Sequence, residues 1–256
     1  MRDIIAEQRH RLILERLGAE GAVAVGRLSE ALGVSRETIR RDLHFLARSG
    51  HLLKKHGGAI SISRTEPDET QRSQTNAEGK RRIGQHAASM VPAGATVILD
   101  SGTTARCIAD ALVPRRDLTV ITNDLGICRR LFRSEGIRIV LIGGAIQSHE
   151  EATLGPDAVE MLGRYHADFA FVGAGAITGE GFLTDFSRDG EALRARMLQS
   201  ARTVCVVADH TKFGRVTPVR VPAFGRGHLL ITDRAPERRV RDALSQRGVQ
   251  LILARG

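Results

Sequence analysis

The 256-residue sequence contains no tryptophan, one tyrosine, three cysteines and seven prolines. Cys107, Cys128 and Cys205 are too few and too scattered for a disulfide framework, and they form no Cys-x-x-Cys pair or Cys/His cluster. That predicts free thiols in a reducing compartment and no bound metal. Long apolar runs are also missing. The longest, at 137–142 and 203–208, fall far short of the ~20 residues that span a bilayer, so no membrane-crossing helix and no membrane partner are expected. The first residues alternate charged with apolar side chains and lack the apolar core of a secretory signal, which predicts a cytoplasmic protein.

What is present is ordinary globular material: 42% hydrophobic and 26% charged residues, enough for a packed core and inconsistent with disorder throughout. The net charge of +9 invites a polyanionic partner without specifying one. Texture divides the chain into residues 1–60, a polar stretch at 61–76 with a single sizeable apolar side chain, and 77–256. The polar stretch reads as a linker. From residue 77 onward, short Val/Ile-rich runs at 95–100, 118–122, 137–142, 168–173, 203–208, 228–232 and 249–253 alternate with helical stretches. This is the signature of a mostly parallel sheet with helices on both faces.

In the first region, apolar residues at helical spacing mark helices over 4–17 and 26–32. A third begins at Ser35, a good N-cap, with Glu37 in its first turn. Gly33-Val34 is the turn between the second and third helices, giving helix-turn-helix grammar. With Ile39 at zero on a helical wheel, Leu43 falls near 40° and Leu46 near −20°, a compact buried stripe, while Arg40, Glu37 and Arg41 fall at roughly 100°, 160° and 200° on the open face. Arg36 and Thr38 flank that face, and this end of a recognition helix meets base edges. Asp42 borders the buried stripe, where it would orient an arginine and not face DNA. After Ser49-Gly50, residues 51–60 read as two short strands with a basic tip, Lys54-Lys55-His56, which is a wing that would contact phosphates.

Ser35-Arg36-Glu37-Thr38-Ile39-Arg40-Arg41-Asp42-Leu43, followed by Leu46, Gly50, Leu52, Lys54 and His56-Gly57-Gly58-Ala59, resembles the signature of the DeoR family of bacterial transcriptional regulators. The resemblance continues through Lys80, Asp100-Ser101-Gly102-Thr103-Thr104, Thr122-Asn123, Gly143-Gly144, Gly155-Pro156, 171–177, 191–197 and Ala208-Asp209-His210-Thr211-Lys212-Phe213-Gly214. It implies a winged helix-turn-helix joined to a sensor domain similar to sugar-phosphate isomerases and deaminases.

The residues support that implication independently. Ser101-Gly102-Thr103-Thr104 joins a strand to a helix, where backbone N–H groups and hydroxyls converge on an anion. Lys212, after another strand end, would supply the countercharge. Asp100, Asn123 and Asp209 would hydrogen-bond sugar hydroxyls, and Gly143, Gly144, Gly173 and Gly175 would let backbone approach the ligand. No nucleotide motif is complete, so no cofactor is expected.

An enzymatic reading, a sugar-phosphate isomerase or deaminase with an appended DNA-binding module, needs a carboxylate poised beside the sugar. In those enzymes and in many of the sensors, an Asp stands where this chain has Gly175. The family's usual lysine after its Glu-Ala pair is Arg194 here. Asp185, Asp189 and Glu191 remain as acids, the latter two placed to start a helix. The sequence therefore predicts a regulator, most simply a repressor of a carbohydrate or polyol operon. Its partners would be a double-stranded DNA operator, a phosphorylated sugar and further copies of itself in a dimer or tetramer, since one recognition helix contacts too few bases for operator specificity.

Overall fold

The computed structural model describes residues 5–49, 51–61, 66–147 and 151–254. The expected Gly50 helix stop and part of the 61–76 linker lie outside these residues. The chain opens with α1 (Ala6–Glu20), β1 (Ala22–Ala24), α2 (Val25–Leu32), α3 (Arg36–Arg48), β2 (Leu52–Lys55) and β3 (Gly58–Ser61). Gly21 and Gly33 close α1 and α2 at φ 73° and 65°, a left-handed conformation that costs glycine little. The Ser35 hydroxyl accepts the Thr38 N–H at 3.1 Å and starts α3. Ile39, Leu43 and Leu46 then pack with Ile13, Leu17, Leu28 and Leu52 into one small core. The two wing strands pair as expected, and β1, which the sequence did not announce, adds a third on β3.

Asp42 fixes α3 against α1. It is buried and takes two hydrogen bonds from Arg9, at 2.5 and 2.9 Å, with His10 Nε2 at 2.9 Å. Burial by itself raises the Asp42 pKa, and the bonds from Arg9 and His10 overcome it, leaving the carboxyl below its ordinary range. His10 also stacks on Phe45 at 4.9 Å between centroids.

The stretch expected to be a plain linker contains a short helix, α4 (Glu69–Gln74), whose first turn is capped by Asp68 accepting from Gln71 N–H at 2.7 Å. Beyond it come α5 (Ala77–Ser89), β4 (Thr96–Leu99), α6 (Thr103–Leu112), β5 (Leu118–Thr122), α7 (Leu125–Leu131) and β6 (Ile137–Leu141). The hairpin β7 (Ala145–Gln147) and β8 (Ala152–Leu154) precedes α8 (Pro156–Leu162), β9 (Ala167–Val172), β10 (Ala176–Ile177), β11 (Leu183–Asp185), α9 (Arg188–Met197) and β12 (Ala201–Val207). A 3-10 turn (His210–Lys212), β13 (Val219–Arg220), β14 (Leu229–Thr232), α10 (Arg238–Gln246) and β15 (Gln250–Leu253) complete the described chain.

All seven strands read from the apolar runs meet in one parallel sheet, ordered β15-β14-β12-β9-β4-β5-β6. Strand alternation sends Val97 and Leu99 to the face covered by α5, α6 and α7, and Ile98 to the face covered by α8, α9 and α10. After β6 the chain returns to the middle of the sheet and continues outward on the other side of β4. The β4/β9 boundary is thus a topological switch point, where a crevice opens beyond the strand ends. The cysteines are free, and no helix among the described residues is long and apolar enough to cross a membrane.

The buried Asp42 cluster yields a test. Asp42→Asn should cost about 3 kcal/mol at pH 7, because it removes the buried carboxylate that pairs with Arg9. A folded-state pKa below the unfolded one stabilises above about pH 4 and loses that contribution as pH falls through the folded value. Urea unfolding followed by circular dichroism should therefore show a gap between wild type and variant that narrows toward pH 3.

Candidate functional site

The switch point is held by Asp100, fully buried at the end of β4. One carboxylate oxygen accepts the Ser101 N–H at 2.7 Å, and the other accepts from Gly173 N–H at 2.8 Å and Arg194 Nε at 2.7 Å. Arg194 also pairs with buried Asp185. Asp100 therefore knots β4, β9 and α9 together, and it stands as a structural residue in place of the expected sugar ligand. Gly102, at φ 110°, begins α6 and donates its N–H to Asp124 at 3.0 Å. Asp124 is gripped in turn by buried Arg106, which reaches Glu69 of α4 at 2.9 Å.

Two adjoining cavities lie beyond the strand ends. The smaller, about 40 Å³, is lined by Ser101, Gly102, Thr103, Thr104 and Gly173, with Lys80, Lys212, Arg72, Arg194 and Glu66 around it. The larger, about 380 Å³, shares Arg72, Lys80 and Lys212 and adds Gly175, Asp209, Thr211 and Arg215, with Gly18, Gly21 and Ser61 of the winged module on its rim. Burial pushes the Lys80 ammonium down from its ordinary range, and it donates to the Arg72 carbonyl. Lys212 is lowered to about 8, first by burial and further by the neighbouring Lys80 and Arg72. Asp209 caps the 3-10 turn by accepting from Thr211 N–H at 3.0 Å, and its second oxygen, Oδ2, is buried with no hydrogen-bond partner among the described residues.

Ser101, Gly102, Thr103, Thr104, Gly173, Gly175, Asp209 and Lys212 are thus brought together as the sequence suggested. Asn123, Gly143 and Gly144 are not among the residues lining these cavities. Asn123 is buried and donates to the Thr153 carbonyl at 3.0 Å. Gly143 follows β6, an edge strand, and its N–H meets the Met161 sulfur at 3.3 Å, while Gly144 at φ 132° runs against the Leu154 carbonyl. Asn123 and Gly144 abut β8 of the hairpin and Gly143 abuts α8, away from the crevice. Sequence reasoning missed Arg72, Arg215 and Glu66. Lys80 was noted only for its resemblance, and it sits within the first turn of α5.

A second surface lies on the winged module. Glu37, Arg40, Arg41, His44, Phe45, Arg48, Ser49 and Lys54 line an open groove of about 770 Å³ between α3 and the wing. Arg41 and Arg40 have side chains 81% and 58% exposed and only loose contacts to Glu37, at 3.7 and 3.4 Å. His44 and Arg48 follow Arg40 and Arg41 by one and two helical turns, a periodicity legible in the sequence but not used. Ser35 and Thr38 are engaged with each other through their hydroxyls at 2.9 Å, and Arg36 folds back toward Gly26 of α2. His56 is exposed at the wing tip. Lys55 departs from expectation. Strand alternation turns it away from Lys54, and its ammonium pairs with Glu180 of the sensor at 2.5 Å; Glu180 also contacts Arg239 at 3.3 Å.

Comparison with known proteins places both units. Residues 9–65 match the DeoR-like helix-turn-helix domain, and residues 75–234 match the DeoR C-terminal sensor domain. The glycerol-3-phosphate regulon repressor of Escherichia coli (strain K12) is 32% identical over 96% of this chain and 98% of its own length. The HTH-type transcriptional repressor GlcR of Bacillus subtilis (strain 168) is 34% identical over 96% of each chain. Among solved structures, ribose 5-phosphate isomerase A from Methanocaldococcus jannaschii aligns with 54% of this chain and 55% of its own, at 19% identity and a TM-score of 0.41. Matched in both of its units and aligned from end to end with curated repressors, the chain belongs to the DeoR family of DNA-binding transcriptional regulators.

Proposed function

We propose that this protein is a repressor whose operator binding is relieved by a small phosphorylated sugar or polyol held at the β4/β9 crevice. The observation that carries the reading is the convergence of the Ser101–Thr104 turn, at the N-terminus of α6, with Lys80, Lys212 and Arg72. Backbone donors at a helix start favour an anion, and the surrounding cations supply charge that the protein itself only partly neutralises. A phosphate fits this chemistry. Asp209, with its orphaned oxygen, lines the larger cavity beside Lys80 and Lys212 and supports a hydroxyl donor on the ligand. The glycerol-3-phosphate named in one relative belongs to this chemical class.

On the winged module, Arg40, Arg41, His44 and Arg48 would present donors to base edges in the major groove. Lys54 and His56 would contact phosphates and position the helix. Two such modules in a cytoplasmic dimer or tetramer would read paired half-sites, and the effector would favour an arrangement that no longer matches their spacing. A catalytic role is disfavoured by Gly175. A Cβ there would stand 2.7 Å from the Thr184 carbonyl oxygen, so an aspartate does not fit the backbone as it is folded. Asp185, whose backbone lies beside Gly175, is already committed to Arg194.

Fluorescence anisotropy on the DNA upstream of the protein's own gene tests this reading. Arg41→Ala should lose about 1–3 kcal/mol of specific binding while leaving scrambled DNA little affected, whereas Lys54→Ala should weaken both and lower the salt slope by about one. Equal losses on both sequences for Arg41→Ala would mean that α3 does not read bases. Lys212→Ala should bind operator normally and require roughly ten- to a hundredfold more sugar phosphate for release; an unchanged requirement would make Lys212 structural. The pH dependence has a definite sign. With Lys212 at about 8, the ammonium is charged below that pH, and above it ligand binding must be coupled to proton uptake. Effector affinity should therefore fall by up to about tenfold per pH unit above 8, and Lys212→Ala should flatten this slope.

A further inference from the structure

The residue that neutralises part of the crevice comes from the linker. Glu66 lines the small cavity beside the Ser101–Thr104 turn. Its carboxylate accepts a 2.5 Å hydrogen bond from Arg72 Nη1, and both side chains are almost nine-tenths buried. The Arg72 guanidinium itself lies over the anion turn, since a Cβ built on Gly102 would be 3.8 Å from Nη1. Lys212 also feels Glu66 as its strongest favourable charge. A carboxylate thus lines the same small cavity as the Ser101–Thr104 turn, and Arg72 Nε is buried with no hydrogen-bond partner among the described residues.

Position along the chain gives this contact a consequence. The wing ends at Ser61, and α4 starts at Glu69, anchored to the sensor by Glu69 on Arg106. Glu66 falls between them, so the pair with Arg72 ties down the segment by which the wing leaves the sensor. We propose that Glu66 is an internal surrogate for the effector phosphate, a carboxylate that occupies the anion subsite in the ligand-free protein and must be displaced for a phosphorylated ligand to enter. A phosphate offers Arg72 two or more acceptor oxygens and a larger charge than the carboxylate, so it competes for the same guanidinium with an advantage. Eviction of Glu66 releases the tether between anion site and wing, which couples occupancy to the winged module inside a single chain. This inference rests on the crevice being the effector site.

Isothermal titration of the full chain with inorganic phosphate, and separately with sn-glycerol 3-phosphate, tests it. Removing an internal competitor should strengthen binding. Glu66→Ala and Glu66→Gln should each bind these probes at least tenfold tighter than wild type, and adding Lys212→Ala to Glu66→Ala should abolish the gain. Binding by both Glu66 variants that is equal to or weaker than wild type, with Lys212→Ala still weakening it, would overturn the surrogate role and leave the crevice as the anion site. Binding in the Glu66→Ala background that Lys212→Ala leaves at full strength, or no binding by any of the proteins, would overturn the crevice reading and the surrogate with it.

Discussion

The sensor depends on one buried carboxylate. Asp100 sits where two halves of a parallel sheet meet back to back, and it satisfies the Ser101 and Gly173 N–H groups while pairing with Arg194. At a topological switch point the strand ends diverge, leaving backbone donors that no neighbouring strand can satisfy. Asp100 takes two of them and sets the path of both loops. The Gly102 N–H goes to Asp124, and Thr103 and Thr104 line the small cavity beyond it. An uncompensated Asp100 would be costly at this depth, and Arg194, itself shared with Asp185, supplies the compensation. The proposed anion site therefore lies against an already neutralised acid-base knot, with Lys80, Lys212 and Arg72 lining the same small cavity.

These cations come from different units. Lys212 belongs to the turn after β12, Lys80 to α5 and Arg72 to the linker helix, while the rim carries Gly21 of the winged module with Arg215 packed against it. On the outer side, Lys55 of the wing is held by Glu180, just beyond the β10 strand that leaves Gly175. The DNA-binding unit thus touches the sensor at the rim of the larger cavity and again through Lys55 and Glu180. Such geometry gives a ligand something to act upon, because a bound anion shifts an equilibrium only through contacts that differ between its two states.

Much of this architecture was legible in the sequence for a simple reason. Buried parallel strands read as continuous Val/Ile runs, and α3 carries its cap, its apolar stripe and its exposed arginines within a dozen residues, so local pattern and tertiary role coincide. The Ser101-Gly102-Thr103-Thr104 turn and Lys212 were visible because each follows a strand. What local pattern could not supply was strand order. Gly143 and Gly144 follow a strand just as Gly173 does, but theirs lies at the sheet edge, and nothing near them in sequence encodes that. Partnerships across long separations were equally silent. The ties of Arg194 to Asp100 and of Lys55 to Glu180 join residues 94 and 125 positions apart. The linker helix escaped notice because it has no apolar face and is held by charge, through Glu69 and Arg106.

The central claim is that a phosphorylated ligand binds at the switch point and thereby loosens operator binding. Hydrogen–deuterium exchange of the full chain on operator DNA, with and without a pool of sugar phosphates, tests it most directly. The account predicts new protection at residues 101–104 and 209–212 as the DNA is released, together with faster exchange at α3. Release of DNA with protection confined to other segments would contradict it.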